Sequence, residues 1–386
     1  MRIKEGFFLK TIEDVDYLLP YGNQIASFAR GLQLGGCSTF LAERLLEQDY
    51  SFEELLDAME AAYGSEISRT VLQEDLVAFL QSLMRASILE GCGATGDCLC
   101  DDVHTFAIAG VHLSVSGPAY LLHPYLMKYE AACSKIDLEL RLALYRRPHY
   151  ELGEFLVRSD DVLIFDAGDS YGILYPENRY VREVVVSKDG SYGSLYVQQD
   201  TPEAMEEVFL AMRSAFLVCA QQKGRFAIHS VSLAQDEGVV LFSGVSGAGK
   251  STHGNLWVQH LGATMLNGDI NLIGVEAGRV MAYGLPWCGT SEVCTPYAKP
   301  LYGVFFIKQD ATNHVEELQG PMRALTLSNR MISPTWTRAC YEKNLDFACE
   351  IQSKLLLANL YCNITPEAAE VSKEYLRDYI GKKDNR

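Results

Sequence analysis

Residues 244–251 have the types and spacing of a phosphate-binding loop. They read Gly-Val-Ser-Gly-Ala-Gly-Lys-Ser and match the pattern G-x-x-x-x-G-K-[ST]. Glycine lets backbone N–H groups converge on phosphate oxygens, and a following helix adds the positive end of its dipole. Lys250 would reach the β- and γ-phosphates, and the Ser251 hydroxyl would ligate Mg²⁺. The nucleotide-binding residues predicted here are Gly244, Ser246, Gly247, Ala248, Gly249, Lys250, Ser251 and Thr252.

The segments on both sides of this loop agree with the motif. Residues 238–243 are an apolar run that predicts a short buried strand, and residues 252–261 predict a helix. Strand, glycine-rich loop and helix, in that order, are the context that the motif requires. The alternative, an ordinary glycine-rich turn, does not explain these flanking elements. The sequence therefore predicts that the chain binds ATP with Mg²⁺.

Phosphoryl transfer also needs a carboxylate, as a metal ligand or as a proton acceptor. Asp269 is the first carboxylate after the predicted helix, and it follows a short apolar run, as an acid at the end of a strand would. Its alternative role is that of an aspartate in a turn. Glu292 ends a Gly-, Pro- and Trp-containing loop and is either a second metal ligand or a solvated acid. The predicted metal ligands are Ser251, Asp269 and Glu292.

The composition of the chain limits the classes of molecule that the protein is expected to bind. The net charge of −17 argues against nucleic acid and anionic membranes, because both require a basic surface. The sequence has no apolar run near the ~20 residues of a membrane span, and its first residues do not have a signal-peptide core. These features predict a cytoplasmic protein whose 11 cysteines are reduced. The cysteines Cys92, Cys98 and Cys100 suggest either a metal site or a linker that carries thiols, and their spacing favours the linker.

Residues 1–91 predict a small module of strands followed by helices. Residues 7–11 and 17–23 suggest a hairpin region that ends in a Gly22-Asn23 turn, and a helix covers about residues 39–47. Ser51 and Glu54 form a capping box at the start of the next helix, and a third helix begins near residue 69. This order is that of a winged-helix-like module. DNA binding is disfavoured because acids outnumber bases in this part of the chain.

The remaining chain is predicted as three further segments. A glycine-bearing linker covers residues 92–102, and a strand-rich region covers residues 103–200. The core that carries the phosphate-binding loop covers residues 201–386. It begins with a long helix from Pro202 and is followed late in the chain by predicted helices near residues 321–328 and 336–361. Strands that alternate with helices predict an α/β fold.

The first module resembles the PqqD-like domain, the recognition element that binds leader peptides of ribosomally made peptides. The resemblance is carried by the residues Leu32-Gln33-Leu34, 51–55, 62–64, 75–80 and 88–91. It implies a winged-helix-like domain that binds a leader peptide as an added strand at a sheet edge. The sequence does not identify the residues of that edge.

The second half resembles the HPr kinase/phosphorylase-related kinases, which share a fold with phosphoenolpyruvate carboxykinases. The resemblance rests on His229-Ser230, residues 244–251, Asn267-Gly268-Asp269 and residues 284–289, and it covers about residues 103–380. It implies catalytic roles for Asp269, His229 and Lys250, with His229 supporting the acid, and it places the metal glutamate at Glu292. The chain departs from the family at Gly268, where the family has a second acid, so Asp269 is either base or ligand. The HPr-binding signature has no match, which counts against HPr as the substrate.

Together these features predict a kinase that depends on ATP and Mg²⁺. Its substrate is predicted to be a Ser or Thr hydroxyl of a ribosomally made precursor peptide that the N-terminal domain recruits. One alternative is a small-molecule kinase acting, for example, on free serine. Another is a non-catalytic switch in which ATP controls peptide binding. The sequence leaves open a homo-oligomer, the acceptor residue and the reverse reaction.

Overall fold

The structure, a computed structural model, describes residues 1–26, 31–86, 88–90, 93–95, 98–145, 147–149, 155–159, 161–235 and 238–384. The α-helices in chain order are α1 (Cys37–Glu47), α2 (Phe52–Tyr63), α3 (Arg69–Arg85), α4 (Pro124–Met127), α5 (Met205–Gln222), α6 (Lys250–Leu261), α7 (Met322–Ser328), α8 (Arg338–Ile351) and α9 (Pro366–Asp384).

The strands of the N-terminal half are β1 (Arg2–Ile3), β2 (Phe7–Ile12), β3 (Val15–Pro20), β4 (Leu32–Leu34), β5 (Leu89–Glu90), β6 (Gly93–Thr95), β7 (Val103–Ile108), β8 (Val111–Ser116), β9 (Leu138–Leu144), β10 (Arg147–His149), β11 (Phe155–Arg158), β12 (Leu163–Ala167), β13 (Ser170–Leu174), β14 (Val181–Ser187) and β15 (Tyr192–Val197). Those of the C-terminal half are β16 (Arg225–Gln235), β17 (Gly238–Ser243), β18 (Thr264–Asn267), β19 (Ile270–Glu276), β20 (Arg279–Gly284), β21 (Ala298–Gln309), β22 (His314–Glu317) and β23 (Leu356–Cys362).

The chain divides into two compact units. The first consists of Met1–Leu99, Ala143–Val185 and Tyr196–Asp200, and the second consists of Cys100–Leu142, Val186–Leu195 and Thr201–Arg386. The predicted segment 103–200 therefore contributes strands to both units. Within the predicted linker, β6 pairs antiparallel with β10.

The first unit contains an antiparallel sheet in the order β2-β3-β4, together with α1, α2 and α3. The hairpin turn lies at Glu13 and Asp14, with φ angles of 49° and 62°. The predicted turn at Gly22-Asn23 follows β3: the Gln24 N–H donates to the Tyr21 carbonyl oxygen at 3.3 Å, and the turn continues as a 3₁₀ helix. A two-residue hairpin turn that matches the strand twist needs positive φ at both central residues, and here two acidic residues adopt it without glycine.

The predicted capping box of α2 is confirmed. The Ser51 hydroxyl accepts a hydrogen bond from the Glu54 N–H at 3.2 Å, and the Glu54 carboxylate accepts one from the Ser51 N–H at 2.7 Å. The helix then buries Leu55 and Met59, which lie one turn apart, in the core of the first unit. The three helices thus pack on one another through apolar stripes, as their spacing predicted.

The second unit is built on a mixed sheet in the order β17-β16-β19-β20-β21-β23-β22, in which β17 also pairs parallel with β21. Alternate residues of β17 face two different hydrophobic clusters. One cluster includes side chains of α7 and α8, and the other includes side chains of α6 and α9. Helices on both faces of a mixed sheet form a layered α/β fold, as predicted.

One predicted helix, residues 336–361, is wrong in its second half. The helix α8 ends at Ile351, and Leu356–Cys362 form β23, which runs parallel to β21 between Gly303 and Gln309. A short apolar run fits a buried helix and a buried parallel strand equally well, so periodicity could not separate them. Among the described residues, no helix is both long and apolar enough to cross a membrane.

Candidate active site

The predicted phosphate-binding loop connects the C-terminal end of β17 to the first residue of α6. Gly247 and Gly249 have φ angles of 74° and 97°, a region that residues with a Cβ atom rarely adopt. A Cβ atom on Gly244 would lie 3.0 Å from that of Ala248. The loop therefore curls tightly, with glycine where its backbone needs it.

The loop delivers the chain into a 12-residue helix whose N-cap is Gly249. Because glycine has no side chain, the first N–H groups of α6 are not capped from that position. Ser251 and Thr252, in the first turn, are both exposed. The helix start thus combines free amide donors, the helix dipole and two hydroxyl groups, which suits an anion.

Lys250 lies beside this loop with its ammonium group on the loop's own carbonyl oxygens. Its Nζ donates to the oxygen of Gly244 at 3.4 Å and to that of Val245 at 3.3 Å. Burial lowers the pKa of Lys250, Asp269 acts in the opposite direction, and Arg330 lowers the pKa further. Lys250 therefore lies close enough to Asp269 and Arg330 for both charges to shift its pKa.

Asp269 and His229 form a pair. The His229 Nε2 atom lies 3.1 Å from the Asp269 Oδ1 atom, and both side chains are partly exposed. This hydrogen bond is the largest cause of a lowered pKa at Asp269, against which burial acts, and the charges of His229, Arg213 and Lys250 lower it further. Asp269 is consequently ionised at neutral pH, as either proposed role requires.

The backbone around Asp269 is fixed by Asn267, a fully buried residue at the end of β18. Its side-chain oxygen accepts hydrogen bonds from the Asp269 N–H at 2.8 Å and the Ile270 N–H at 3.0 Å. Its side-chain nitrogen donates to the carbonyl oxygens of Leu285 at 2.8 Å and Trp287 at 3.3 Å. One amide thus ties the turn that carries Asp269 to a second segment, residues 285–294, which we call the cover loop.

The cover loop touches the turn at two glycines. A Cβ atom on Gly289 would lie 2.9 Å from the Asp269 Cβ atom, so only glycine leaves room for this carboxylate. A Cβ atom on Gly268 would lie 2.3 Å from the Cβ atom of Ser291. An acid at position 268 would require the cover loop to move, which is a physical reason for the single acid here.

Glu292 is exposed at the end of a 3₁₀ turn of the cover loop, with a left-handed φ of 56°. Burial raises the pKa of Tyr125, and the negative charge of Glu292 adds to this effect. In the part of the chain that the structure describes, no group of three or more His, Cys, Asp or Glu side chains could hold a metal ion. Mg²⁺ that is bound through phosphates needs only one or two protein ligands, so the small number of carboxylates here is compatible with it, and the metal roles of Ser251, Asp269 and Glu292 stay predictions.

The cysteines singled out near the linker form no metal site in the described part of the chain. Cys92 lies outside the described residues, whereas Cys98 and Cys100 are half-buried. Cys98 forms an isolated β-bridge with Ala143.

Two arginines that act on Lys250 or Asp269 were missed from the sequence. Arg330 lines a cavity of about 300 Å³ together with residues 244–248 and 306–309, and its carbonyl oxygen accepts from the His229 N–H at 3.3 Å. Arg213 lies on α5 and lowers the pKa of Asp269. Neither arginine stands near a motif, and only the fold brings them to Lys250 and Asp269.

Three further cations of the C-terminal half lie elsewhere or at the edge of this cavity. Lys308 is exposed and lines it. Arg323 bonds to Glu317 at 2.8 Å and to backbone oxygens, and Arg338 forms an exposed pair with Glu342. Arg323 and Arg338 are therefore structural or solvated cations.

Comparison with known proteins adds little to this geometry. No protein-family model and no curated protein matches the chain. Among solved structures, the HPr(Ser) kinase/phosphatase from Coxiella burnetii aligns with a TM-score of 0.24 and 10% identity. That alignment covers 41% of this chain and 98% of the other. A likeness at this level carries no argument about function, which has to come from the site itself.

Proposed function

We propose that this chain is a phosphotransferase that moves the γ-phosphoryl group of ATP, with Mg²⁺, to a Ser or Thr hydroxyl of a ribosomally made precursor peptide. The observation that carries the proposal is the combination of a glycine loop at a helix start with an ionised carboxylate, Asp269, whose pKa responds to Lys250. Phosphoryl transfer requires positioning and charge neutralisation more than covalent chemistry, and these residues supply both.

The residues would share the work as follows. The N–H groups of the loop and Lys250 hold the β- and γ-phosphates, and Arg330 neutralises charge on the transferring group. The acceptor oxygen bonds to the γ-phosphorus, the bond to the bridging oxygen breaks, and ADP leaves. As proton acceptor, the first of the two roles that the sequence left open, Asp269 takes the proton of the hydroxyl while His229 holds the carboxylate in place. The Ser251 hydroxyl and the phosphate oxygens would hold Mg²⁺. When bound, the ion would offset part of the negative charge of the phosphates.

Nucleotide binding is tested first, by calorimetry with MgATP on the whole protein. Lys250→Ala should weaken binding by more than tenfold, because it removes the ammonium group that would contact the phosphates. Lys308→Ala, at the rim of the same cavity, is the matched control and should change binding much less. Equal effects of the two substitutions, or no binding by the unaltered chain, would refute the proposal.

The two roles left open for Asp269 differ in what Asp269→Asn changes. If the carboxylate is the proton acceptor, the substitution lowers kcat and leaves the Mg²⁺ dependence unaltered. If it is a metal ligand, the Mg²⁺ concentration needed for half-maximal rate rises. Both readouts come from radiolabelled ATP turned over at a series of Mg²⁺ concentrations.

A groove in the first unit supports the peptide part of the proposal. It has a volume of about 480 Å³. One wall consists of β4 and the residues after it, up to Ser38, and the other wall is α3. The strand β4 pairs with β3 and is the last strand of its sheet. An extended peptide could add a strand there and place side chains against Ala78 and Phe79 of α3.

Filling the groove provides the test. Ala78 is exposed on the groove side of α3, so Ala78→Arg should raise the KM for a precursor peptide without changing the KM for ATP. Ala61→Arg, on an exposed position of α2 outside the groove, is the matched control. Transfer to free serine that neither substitution affects, with no transfer to any peptide, would refute the peptide part and favour a small-molecule kinase.

A further inference from the structure

The helix wall of the groove between β4 and α3 has a charged part and an apolar part. Its lining residues on α3 are Asp75, Ala78, Phe79 and Ser82. They stand at positions i, i+3, i+4 and i+7, so they form one stripe along the helix. Phe79 is 6% exposed, whereas the side chains of Asp75 and Ala78 are exposed. The stripe therefore presents a carboxylate one helical turn away from an aromatic floor.

Asp75 has no cationic partner among the residues that the structure describes. The polar contact of its side chain there is a weak hydrogen bond, which the Oδ2 atom accepts from the Cys37 thiol at 3.9 Å. A carboxylate on the wall of a groove, without a counter-charge, is complementary to a basic group of a ligand. The net charge of −17 acts in the same direction, because it attracts basic rather than acidic partners.

The strand β4 determines how a peptide would lie against this stripe. It is the last strand of its sheet, so an extended peptide can pair with its outer edge. Leu34 of β4 is buried in the same hydrophobic cluster as Leu76 and Leu80 of α3, so one face of the sheet is turned toward the helix. Side chains of a strand alternate between the two faces, and every second side chain of the added strand therefore points toward α3.

The spacing along the helix matches the spacing along such a strand. The groove follows α3 for about two turns, from Asp75 to Ser82. Asp75 and Phe79 are four residues apart, which is about 6 Å along a helix axis. Side chains on one face of a strand are two residues apart, which is about 6.6 Å. One side chain of the added strand can therefore lie beside Asp75 while the next one on the same face lies on Phe79.

We propose that the peptide bound in this groove carries a Lys or Arg residue two positions away from an apolar residue. The basic group lies beside the Asp75 carboxylate, and the apolar side chain packs on Ala78 and Phe79. The inference rests on the proposed function in taking this peptide as the substrate, and it adds the residue pattern by which the first unit selects it. The preference of the groove itself does not depend on phosphoryl transfer.

Three labelled peptides, acetylated and amidated at their ends, test the pattern by fluorescence anisotropy on the whole protein. The first has a central Leu with a Lys two positions away on each side, in an otherwise all-Thr chain, so it fits in either strand direction. The second has Glu in place of both Lys residues. The third has each Lys three positions from the Leu, which places Lys and Leu on opposite faces.

We expect the first peptide to bind at least about threefold more tightly than either of the others, because one exposed ion pair contributes up to about fivefold in affinity. The second peptide places a like charge beside Asp75, and the third can satisfy either Asp75 or Phe79 but not both. Equal affinities of the three peptides, or no binding of the first, would overturn the proposal.

Reversal of charge on α3 identifies the residue that makes the choice. Asp75→Lys should reverse the order of the first two peptides. Glu74→Lys is the matched control, because it makes the same change of charge at the neighbouring exposed position outside the groove, and it should keep the order. Ala78→Trp fills the groove without adding charge and should abolish binding of the first peptide. An order that Glu74→Lys also reverses would overturn the proposal, since the charge of the whole surface would then decide.

The outcomes for the groove and for the proposed function are separable. Binding that follows the expected pattern, with no phosphoryl transfer to any peptide, would refute the proposed function and leave the preference of the groove in place. Transfer to peptides that bind equally well with Lys or Glu would refute the preference and leave the proposed function in place.

Discussion

Gly289→Ala tests whether the cover loop positions Asp269. The substitution places a Cβ atom 2.9 Å from the Asp269 Cβ atom and 3.0 Å from its Cγ atom, whereas ordinary contacts begin at 3.4 Å. The carboxylate or the loop must therefore move by about 0.5 Å to restore a van der Waals contact. A misplacement of about 1 Å can cost about 10²-fold in rate, so we expect kcat to fall about tenfold.

Backbone strain alone could lower activity by lowering stability, and Gly278→Ala controls for it. Gly278 has a φ of 79° and Gly289 a φ of 58°, so both substitutions force a Cβ atom into the left-handed region. The cost of about 1–2 kcal/mol in the free energy of unfolding should be similar. A Cβ atom on Gly278 would meet no atom within 4 Å, and this glycine lies at the far end of β19 from Asp269.

The assay is steady-state turnover of radiolabelled ATP with Mg²⁺, together with urea unfolding of each variant. We expect both variants to lose similar stability and only Gly289→Ala to lose kcat. The KM for MgATP should not change in either, because Gly289 is not part of the phosphate-binding loop. Equal kcat values for the two variants would refute the positioning role of the cover loop, and a change in KM alone would point to the nucleotide site.

Two further predictions concern hydrogen bonds. His229→Ala removes the largest cause of the lowered pKa of Asp269, so that pKa rises toward its ordinary value of 3.8 and the acidic limb of the rate profile moves to higher pH. The ionised carboxylate contributes stability above pH 3.8 and loses it as the pH falls through the lowered pKa of Asp269. This contribution should become smaller in His229→Ala, as measured by acid unfolding. An acidic limb that does not move would contradict the pairing of His229 with Asp269. Ser372→Ala leaves the ring nitrogens of His253 at 3.2 Å and Trp257 at 2.9 Å without their partner, and urea unfolding should show a loss of about 1–3 kcal/mol; a loss below about 0.5 kcal/mol would contradict this.

The conformation of the phosphate-binding loop was predictable because it depends on residues that lie close together in the sequence. Glycine at positions 247 and 249 satisfies positive φ angles, and the strand and helix around it have their own apolar patterns. Asp269 was singled out for a related reason, since it follows the end of a short strand, β18, by two residues. In both cases neighbouring residues in the chain determine the geometry that matters.

The parts that the sequence could not supply depend on contacts between distant residues. Arg330 and Arg213 come from segments before and after the loop and carry no motif. Asn267 is an ordinary turn residue until its amide is seen to reach Leu285. The strand β23 was taken for helix because its neighbour β21, which makes it a central parallel strand, lies some fifty residues earlier in the chain.

The packing of α6, the helix that begins at Lys250, depends on α9, which the ribosome synthesises much later. Its Trp257 ring donates to a serine of α9, 115 residues further on, and packs among the apolar side chains of that helix. At about 5–20 residues per second, roughly 6–23 s of synthesis separate the two. During that interval Phe242 already packs against the indole ring, but the ring N–H and the ring surface that faces α9 have no partner. We therefore expect α6, and with it the helix start that follows the glycine-rich loop, to reach its final packing only after α9 has emerged.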